Sequence, residues 1–186
     1  MSHAHGGGSL TRLVPLSRYS WALGLAVLLG SNPVWAERPV RSLLEIRHEA
    51  LFPQRWDNSC GAATLATVLR YYKGVSTNEE AVARGMLRQT DPLRVRVRGG
   101  FSLLDMQRYL TRLGFQGEGY MNMTLADLAE RVPMIVPITM NGYAHFVVVR
   151  RVGPTGINIG DLSFGNYEMA QAAFAEKWSG IGFGIQ

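Results

Sequence analysis

Residues 54–63 read Gln-Arg-Trp-Asp-Asn-Ser-Cys-Gly-Ala-Ala, and the only cysteine of the 186-residue chain stands near the end of this stretch, at Cys60. Polar residues precede Cys60, and apolar side chains then recur at spacings of three and four residues as far as Tyr72. This period predicts a helix with one buried face, which Gly74 is expected to end. Cys60 is therefore expected at the N-terminus of the first long helix.

The position of Cys60 favours an ionised thiol. A helix N-terminus presents unpaired backbone N–H groups and the positive end of the helix dipole, and both stabilise a thiolate, the nucleophilic form of cysteine. One cysteine cannot form an internal disulfide or a multi-cysteine metal site. Three interpretations remain: a buried apolar thiol, an intermolecular disulfide and a nucleophile. The rest of the sequence favours the nucleophile.

The first 36 residues have the organisation of a secretory signal peptide. They carry Arg12 and Arg18 but no acidic residue, followed by an apolar run at residues 21–29 and by Val34 and Ala36 just before the expected cleavage site. The run is shorter than the roughly 20 apolar residues of a membrane-spanning helix; an uncleaved membrane anchor is the alternative. We therefore expect a periplasmic protein with a signal peptide at residues 1–36 and one domain at residues 37–186.

The composition excludes several classes of protein. The formal net charge is +5 and falls to +3 without Arg12 and Arg18, which is too small an excess to favour a nucleic-acid partner. No metal ion or organic cofactor is implied. The three arginines within residues 94–98 are expected in a solvated loop or an edge strand, with contact to an acidic partner or to lipid head groups as the alternative.

Hydrophobic patterns and capping residues divide the domain into helices followed by strands. Helices are predicted at residues 59–72, after a cap at residue 77 or 78, at residues 102–114, in a short form from residue 124, and at residues 168–178. Strands are predicted at residues 134–139, 143–151, 155–161 and 181–185 and around residues 42–47, with a loop at residues 91–100. This order indicates an α+β fold in which a helical layer packs on an antiparallel sheet.

His145 is the residue that we expect to act on Cys60. A thiol nucleophile needs a base within hydrogen-bond reach, and the domain contains only two histidines. His48 lies in a charged stretch and is predicted to be a solvated surface residue. His145 begins a predicted strand, at a sheet end where a cleft can form. Considered without Cys60, His145 would be interpreted as a hydrogen-bonded structural histidine. The presence of both residues favours the interpretation that His145 is a base.

Asp161 and Gln54 are expected to complete such a site. Asp161 ends the strand that follows His145, and antiparallel pairing brings the two near each other, so its carboxylate is expected to orient the imidazole. An ordinary turn aspartate is the alternative. Gln54 can donate an uncharged amide N–H to a tetrahedral oxyanion, beside the backbone N–H of Cys60. Considered without the other candidate residues, Gln54 would be interpreted as an ordinary surface residue.

Together these residues resemble the double-glycine cysteine peptidases, papain-like enzymes that remove leaders from bacteriocins. The shared features are Gln54, residues 60–63, the helix end at residues 71–74, His145 with the valines after it, and Asp161. The resemblance implies a papain-like α+β fold and a thiol endopeptidase that cleaves after two small residues, usually Gly-Gly. It also implies that Cys60 is the nucleophile and His145 the general base and acid. Asp161 would orient the histidine, and Gln54 would donate to the oxyanion.

The sequence departs from the family pattern at two positions, where Ser59 and Leu162 replace the usual Asp and Pro. Neither change removes a catalytic group, but both bear on the shape of the cleft. An export signal without a transporter domain resembles the stand-alone members associated with export of functional amyloid fibres. The expected partners are a protein or peptide with a flexible Gly-rich segment and amyloid-export components. Three alternatives remain: a binding module that does not cleave, an acyltransferase, and a structural domain with a buried Cys60.

Overall fold

The structure of the protein is a computed structural model that describes residues 40–186, so the predicted signal peptide and its cleavage site lie outside the described residues. The helices are α1 (Leu43–Arg47), α2 (Cys60–Tyr72), α3 (Glu79–Leu87), α4 (Pro92–Arg98), α5 (Leu103–Arg112), α6 (Leu125–Glu130) and α7 (Gln171–Lys177). The strands are β1 (Gly117–Tyr120), β2 (Met134–Met140), β3 (Tyr143–Val152), β4 (Gly156–Asp161), β5 (Gly165–Ala170) and β6 (Gly182–Ile185).

The six strands form one antiparallel sheet in the order β1-β6-β2-β3-β4-β5. Its centre is the β2–β3 hairpin, whose turn residues Asn141 and Gly142 both have positive φ, 51° and 82°. This is the backbone that a two-residue hairpin turn requires, and an Asn-Gly pair adopts it readily. The α+β fold class predicted from the sequence is therefore confirmed.

Neighbouring strand residues point to opposite faces of the sheet, and each face has its own apolar cluster. On one face, Ile135 and Val148 pack in the same cluster as Leu65 of α2. On the other face, Val136 and Val147 pack with Phe174 of α7. The main helical layer of α2, α3 and α5 is the one expected; α6 and α7 add a smaller layer on the opposite face.

Capping signals correctly located the starts of α3, α5 and α6. Ser102 and Asp105 form a reciprocal capping box at the start of α5, and Thr124 and Asp127 form another at α6. The Asn78 side chain accepts a hydrogen bond from the N–H of Ala81 and so caps α3. These contacts satisfy backbone N–H groups that have no partner inside the helix.

Three sequence-based assignments were wrong. Residues 42–47 form α1 instead of a strand, because Ser42 and Glu45 make a capping box that starts a helix. Residues 91–100 contain α4 instead of a loop: Asp91 caps it, Pro92 occupies the first turn, and Gly99 ends it at φ 80°. The predicted helix at residues 168–178 begins only at residue 171, because the preceding residues pair with β4 as β5.

The short strand β1 was not predicted, and it pairs with β6 at the edge of the sheet. Among the helices at residues 40–186, none is both long enough and apolar enough to cross a membrane.

Replacing Gly165 with alanine is expected to destabilise the fold more than the same change at Gly142. Both glycines have positive φ, 85° and 82°, so alanine would be strained at each. At Gly142 the added methyl would meet nothing within 4 Å, whereas at Gly165 it would lie 2.7 Å from the carbonyl oxygen of Arg47. Such overpacking costs about 1–3 kcal/mol. Urea denaturation should show an additional loss of that size for Gly165→Ala; equal losses would mean that α1 does not pack tightly on β5.

Candidate active site

Cys60 is the first residue of α2 and is partly exposed. Residues 61–69 of this helix are buried, so the core fixes the position of its N-terminus. The Thr64 hydroxyl donates to the carbonyl oxygen of Cys60 at 2.6 Å and lies 3.3 Å from that of Phe146. Thr64 therefore joins the first turn of α2 to β3. Cys60 is thus held on a rigid element beside the strand that carries His145.

The pairing of β3 with β4 brings His145 and Asp161 together. Val148 pairs with Gly160, which sets Asp161 opposite Val147, two residues from His145 and on the same face of the sheet. His145 Nε2 lies 3.0 Å from Asp161 Oδ1, and the two side chains are 16% and 0% exposed. Because Nε2 faces the carboxylate, Nδ1 is the ring nitrogen left for the thiol.

The His145–Asp161 contact is an ion pair rather than a well-aligned hydrogen bond. Its distance is short enough for a hydrogen bond, but the ring N–H does not point along that line, and Nε2 has no other partner among the described residues. Asp161 is itself firmly oriented, since Oδ1 accepts hydrogen bonds from the backbone N–H groups of Ser163 (2.8 Å) and Phe164 (3.0 Å).

The ionised forms of Asp161, His145 and Cys60 stabilise one another. Burial alone would raise the pKa of Asp161, but contact with His145 and the two backbone N–H groups lower it, so the carboxylate is ionised. Burial would lower the pKa of His145. The contacts with Asp161 and with Cys60 have a larger, opposite effect and raise this pKa to about 9. His145 is therefore an imidazolium at neutral pH.

The His145 imidazolium helps to lower the pKa of the Cys60 thiol. Burial would raise the pKa of Cys60, but the hydrogen bond with His145, the backbone of Phe146, the His145 charge and the backbone of Gly61 together lower it. A lowered thiol pKa beside a raised histidine pKa describes a thiolate–imidazolium pair. The pair exists from the thiol pKa up to the histidine pKa of about 9.

Gln54 lies in the loop before α2, beside the end of β4. Its backbone N–H donates to the carbonyl oxygen of Leu162 at 2.8 Å, and its side-chain oxygen accepts from the Ser163 hydroxyl at 3.2 Å. The amide Nε2 donates to the carbonyl of Trp56 at 2.8 Å, which leaves its second N–H for another acceptor. The structure therefore places Gln54 next to the Asp161 turn.

Other residues of the site were not identified from the sequence. Tyr167 of β5 places its hydroxyl 3.5 Å from Asp161 Oδ2, and burial, followed by the nearby carboxylate, raises the pKa of Tyr167 to about 12. No local sequence pattern marks Tyr167 as a neighbour of Asp161, or Thr64 as a link between α2 and β3. His48 is bonded to the carbonyl of Leu44 in α1 through Nδ1. No group of three or more His, Cys, Asp or Glu residues in the described part of the chain could hold a metal ion.

Comparison with known proteins identifies the family. The sequence model of the peptidase C39 family matches residues 48–183. The chain belongs to the peptidase C39 family. It is therefore a cysteine peptidase by family, and the resemblance to double-glycine peptidases is confirmed.

Two Pseudomonas proteins are similar to almost the whole of this peptidase C39 chain. Each carries the name probable functional amyloid protease FapD. The one from Pseudomonas aeruginosa is 39% identical over 178 residues, which are 95% of this chain and 77% of that protein. The one from Pseudomonas fluorescens is 37% identical over 177 residues, 95% of this chain and 78% of that protein.

Solved structures of two peptidases confirm the papain-like fold. A double glycine motif protease from an AMS/PCAT transporter, in complex with the leader peptide, has a TM-score of 0.59 and 25% identity over 73% of this chain and 89% of its own. The peptidase domain of Streptococcus ComA, a bi-functional ABC transporter involved in quorum sensing, has a TM-score of 0.58 and 26% identity over 73% and 96%.

The thiolate–imidazolium pair predicts how Cys60 reacts with iodoacetamide at different pH values. Because the pKa of Cys60 is lowered, alkylation should be fast well below the ordinary thiol pKa of about 8.5. His145→Ala removes the stabilising charge but leaves the burial, so alkylation at pH 7 should slow by about tenfold or more. His48→Ala is the matched control and should react like the wild type. Equal rates in the wild type and His145→Ala would contradict the pair.

Proposed function

We propose that this protein is a periplasmic cysteine endopeptidase that cleaves an exported protein or leader after small, Gly-Gly-like residues. In this proposal Cys60 is the nucleophile, His145 the general acid and base, Asp161 the residue that orients His145, and Gln54 an oxyanion donor. The observation that carries it is the position of His145, whose Nε2 lies 3.0 Å from the fully buried carboxylate of Asp161 and whose charge helps to lower the pKa of the Cys60 thiol.

The first half of the reaction forms a thioester. The Cys60 thiolate attacks the carbonyl carbon of the scissile peptide, and the electron pair of the C=O bond moves to its oxygen. This oxyanion accepts hydrogen bonds from the backbone N–H of Cys60 and the free amide N–H of Gln54. The His145 imidazolium then gives its proton to the leaving nitrogen, the C–N bond breaks, and the new N-terminus departs.

The second half releases the acyl group. Neutral His145 takes a proton from water, and the resulting hydroxide attacks the thioester carbon. The C–S bond breaks, the acid product leaves, and Cys60 returns to the thiolate beside a protonated His145. Asp161 stabilises the positive charge that His145 carries at the beginning and end of the cycle.

The proposed substrate is a protein with a flexible Gly-rich segment, and the process is secretion or assembly of functional amyloid. Two relatives named functional amyloid proteases support this process, and a double-glycine protease in complex with a leader peptide supports a peptide substrate. Three exposed aromatic residues, Trp56, Tyr143 and Phe164, belong to segments next to the site and offer apolar surface to an extended peptide.

The proposed location and domain boundary rest on the sequence of the first 36 residues. Their basic start, apolar run and small residues before position 37 support export and removal of residues 1–36, leaving a peptidase domain at residues 37–186. Amyloid-export components are the proposed partners in that compartment.

A synthetic peptide with one Gly-Gly pair in a flexible segment should be cleaved after the second glycine, and mass spectrometry of the products checks the position. A matched peptide with Leu-Leu at that site should be cleaved at least about tenfold more slowly, and Cys60→Ala should abolish cleavage of both. The rate should rise with pH as the thiol ionises and fall as His145 loses its proton at about 9.

Two results would contradict the proposal. Cleavage that persists in Cys60→Ala would assign the activity to another group or to a contaminant. Tight binding of the Gly-Gly peptide without cleavage by the reduced wild-type protein would favour a binding module.

A further inference from the structure

One buried carboxylate outside the proposed triad contacts the loop that leads to Cys60. Glu79 is the first residue of α3 and is 3% exposed. Its Oε1 accepts a hydrogen bond from the backbone N–H of Arg55 at 3.1 Å, and its Oε2 lies 3.2 Å from the same nitrogen. The Ser59 hydroxyl donates to Oε1 at 2.5 Å. A single side chain from the next helix therefore holds both ends of the loop at residues 55–59.

The two ends of this loop adjoin the two proposed oxyanion donors. The N–H of Arg55 belongs to the peptide group that follows Gln54, and Ser59 directly precedes the backbone N–H of Cys60. Fixing Arg55 restricts the direction in which the Gln54 side chain leaves the backbone. Fixing Ser59 restricts the peptide plane that aims the Cys60 N–H. Glu79 itself does not touch the thiol or the imidazole.

The hydrogen bond between the Ser59 hydroxyl and the Glu79 carboxylate is of a strong type. A hydroxyl-to-carboxylate distance of 2.5 Å falls in the range of charge-assisted hydrogen bonds. The Ser59 hydroxyl also lies 2.7 Å from the carbonyl of Trp56, but it has one proton, and the carboxylate is the stronger acceptor. The positive end of the α3 dipole favours the negative charge of Glu79 at this position.

A cavity adjoins the loop on the side that faces α3. It has a volume of about 170 Å³ and is lined by residues of the stretch 52–56, including Trp56, and by residues 78–80 at the start of α3. Trp56 is 45% exposed. Beside this open space, the hydrogen bonds of Glu79 with Arg55 and Ser59 link the loop to the start of α3.

We propose that Glu79 is a positioning residue that sets the oxyanion site by clamping Arg55 and Ser59. The inference rests on the proposed peptidase function, since it concerns the geometry of that same site. It assigns to α3 a role in the rate of acyl transfer, separate from the ionisation of the thiol, which depends on His145.

Glu79→Gln tests this role with little change in shape. The glutamine oxygen can still accept one hydrogen bond, but its NH₂ group would face the Arg55 N–H as a second donor, so the clamp loosens. The turnover number for the Gly-Gly peptide should fall by about tenfold to a hundredfold with little change in KM, because small misplacement of catalytic groups has effects of this size. Alkylation of Cys60 by iodoacetamide should stay within about twofold of the wild type, because that reaction forms no oxyanion.

Glu80→Gln is the matched control. Glu80 is the next residue of α3, lies at the surface and pairs with Arg84 at 2.5 Å, so its replacement should leave both hydrolysis and alkylation unchanged. Ser59→Ala removes one of the two clamped groups and keeps the carboxylate, and should lower hydrolysis but not alkylation. Hydrogen–deuterium exchange in the full chain should quicken at residues 55–59 in Glu79→Gln and not in Glu80→Gln.

The outcomes separate this inference from the proposed function. If the wild type cleaves the peptide and Glu79→Gln cleaves it equally fast, the clamp is overturned and the peptidase stands. If hydrolysis and alkylation fall together with the folded fraction measured by circular dichroism, Glu79 is only structural and the positioning role is overturned. If the wild type cleaves nothing, the proposed function fails. Hydrogen–deuterium exchange at residues 55–59 that is the same in Glu79→Gln as in the wild type would separately overturn the clamp.

Discussion

The buried contact between Asp161 and His145 is the interaction on which the chemistry of this site depends. Removing two charged groups from water costs several kcal/mol for each ion, and this cost must be offset by close pairing. The backbone N–H groups of Ser163 and Phe164 keep the carboxylate ionised, and the carboxylate in turn keeps His145 protonated. That charge overcomes the burial of Cys60 and lowers the pKa of its thiol.

The fold supplies this arrangement from three separate elements. The buried helix α2 fixes Cys60, the central hairpin fixes His145, and the strand after it ends in Asp161. The remaining part of the proposed site, the loop at residues 54–59, contains no helix or strand, and hydrogen bonds to neighbouring elements hold it in position. Gln54 is bonded to the end of β4, and Arg55 and Ser59 are bonded to Glu79 at the start of α3. In the proposed peptidase, the sheet sets the ionisation of the thiol through His145 and Asp161, and the helical layer sets the geometry of the oxyanion site through Glu79.

The sequence predicted the parts of the site that have local signals. Cys60 follows a polar loop and opens an apolar helix, and His145 and Asp161 lie near the ends of consecutive strands, so these patterns and the family resemblance led us to expect the three residues together. Glu79 carries no such signal: an acidic residue in a first helical turn is ordinarily exposed, and only the tertiary structure brings residues 55–59 to it. Helix α4 was missed because its alternating Arg and Val residues imitate a strand period, while only Val95 among them is buried.

The most direct test of the ion pair between Asp161 and His145 is the titration of the His145 imidazole by nuclear magnetic resonance, in the wild type and in Asp161→Asn. We expect a wild-type pKa of about 9, raised by the carboxylate and the thiolate. In Asp161→Asn we expect a clearly lower pKa, because burial lowers it and the carboxylate no longer opposes that effect. A wild-type pKa near the ordinary histidine value of about 6.5, unchanged in Asp161→Asn, would mean that the buried carboxylate does not hold the charge of His145.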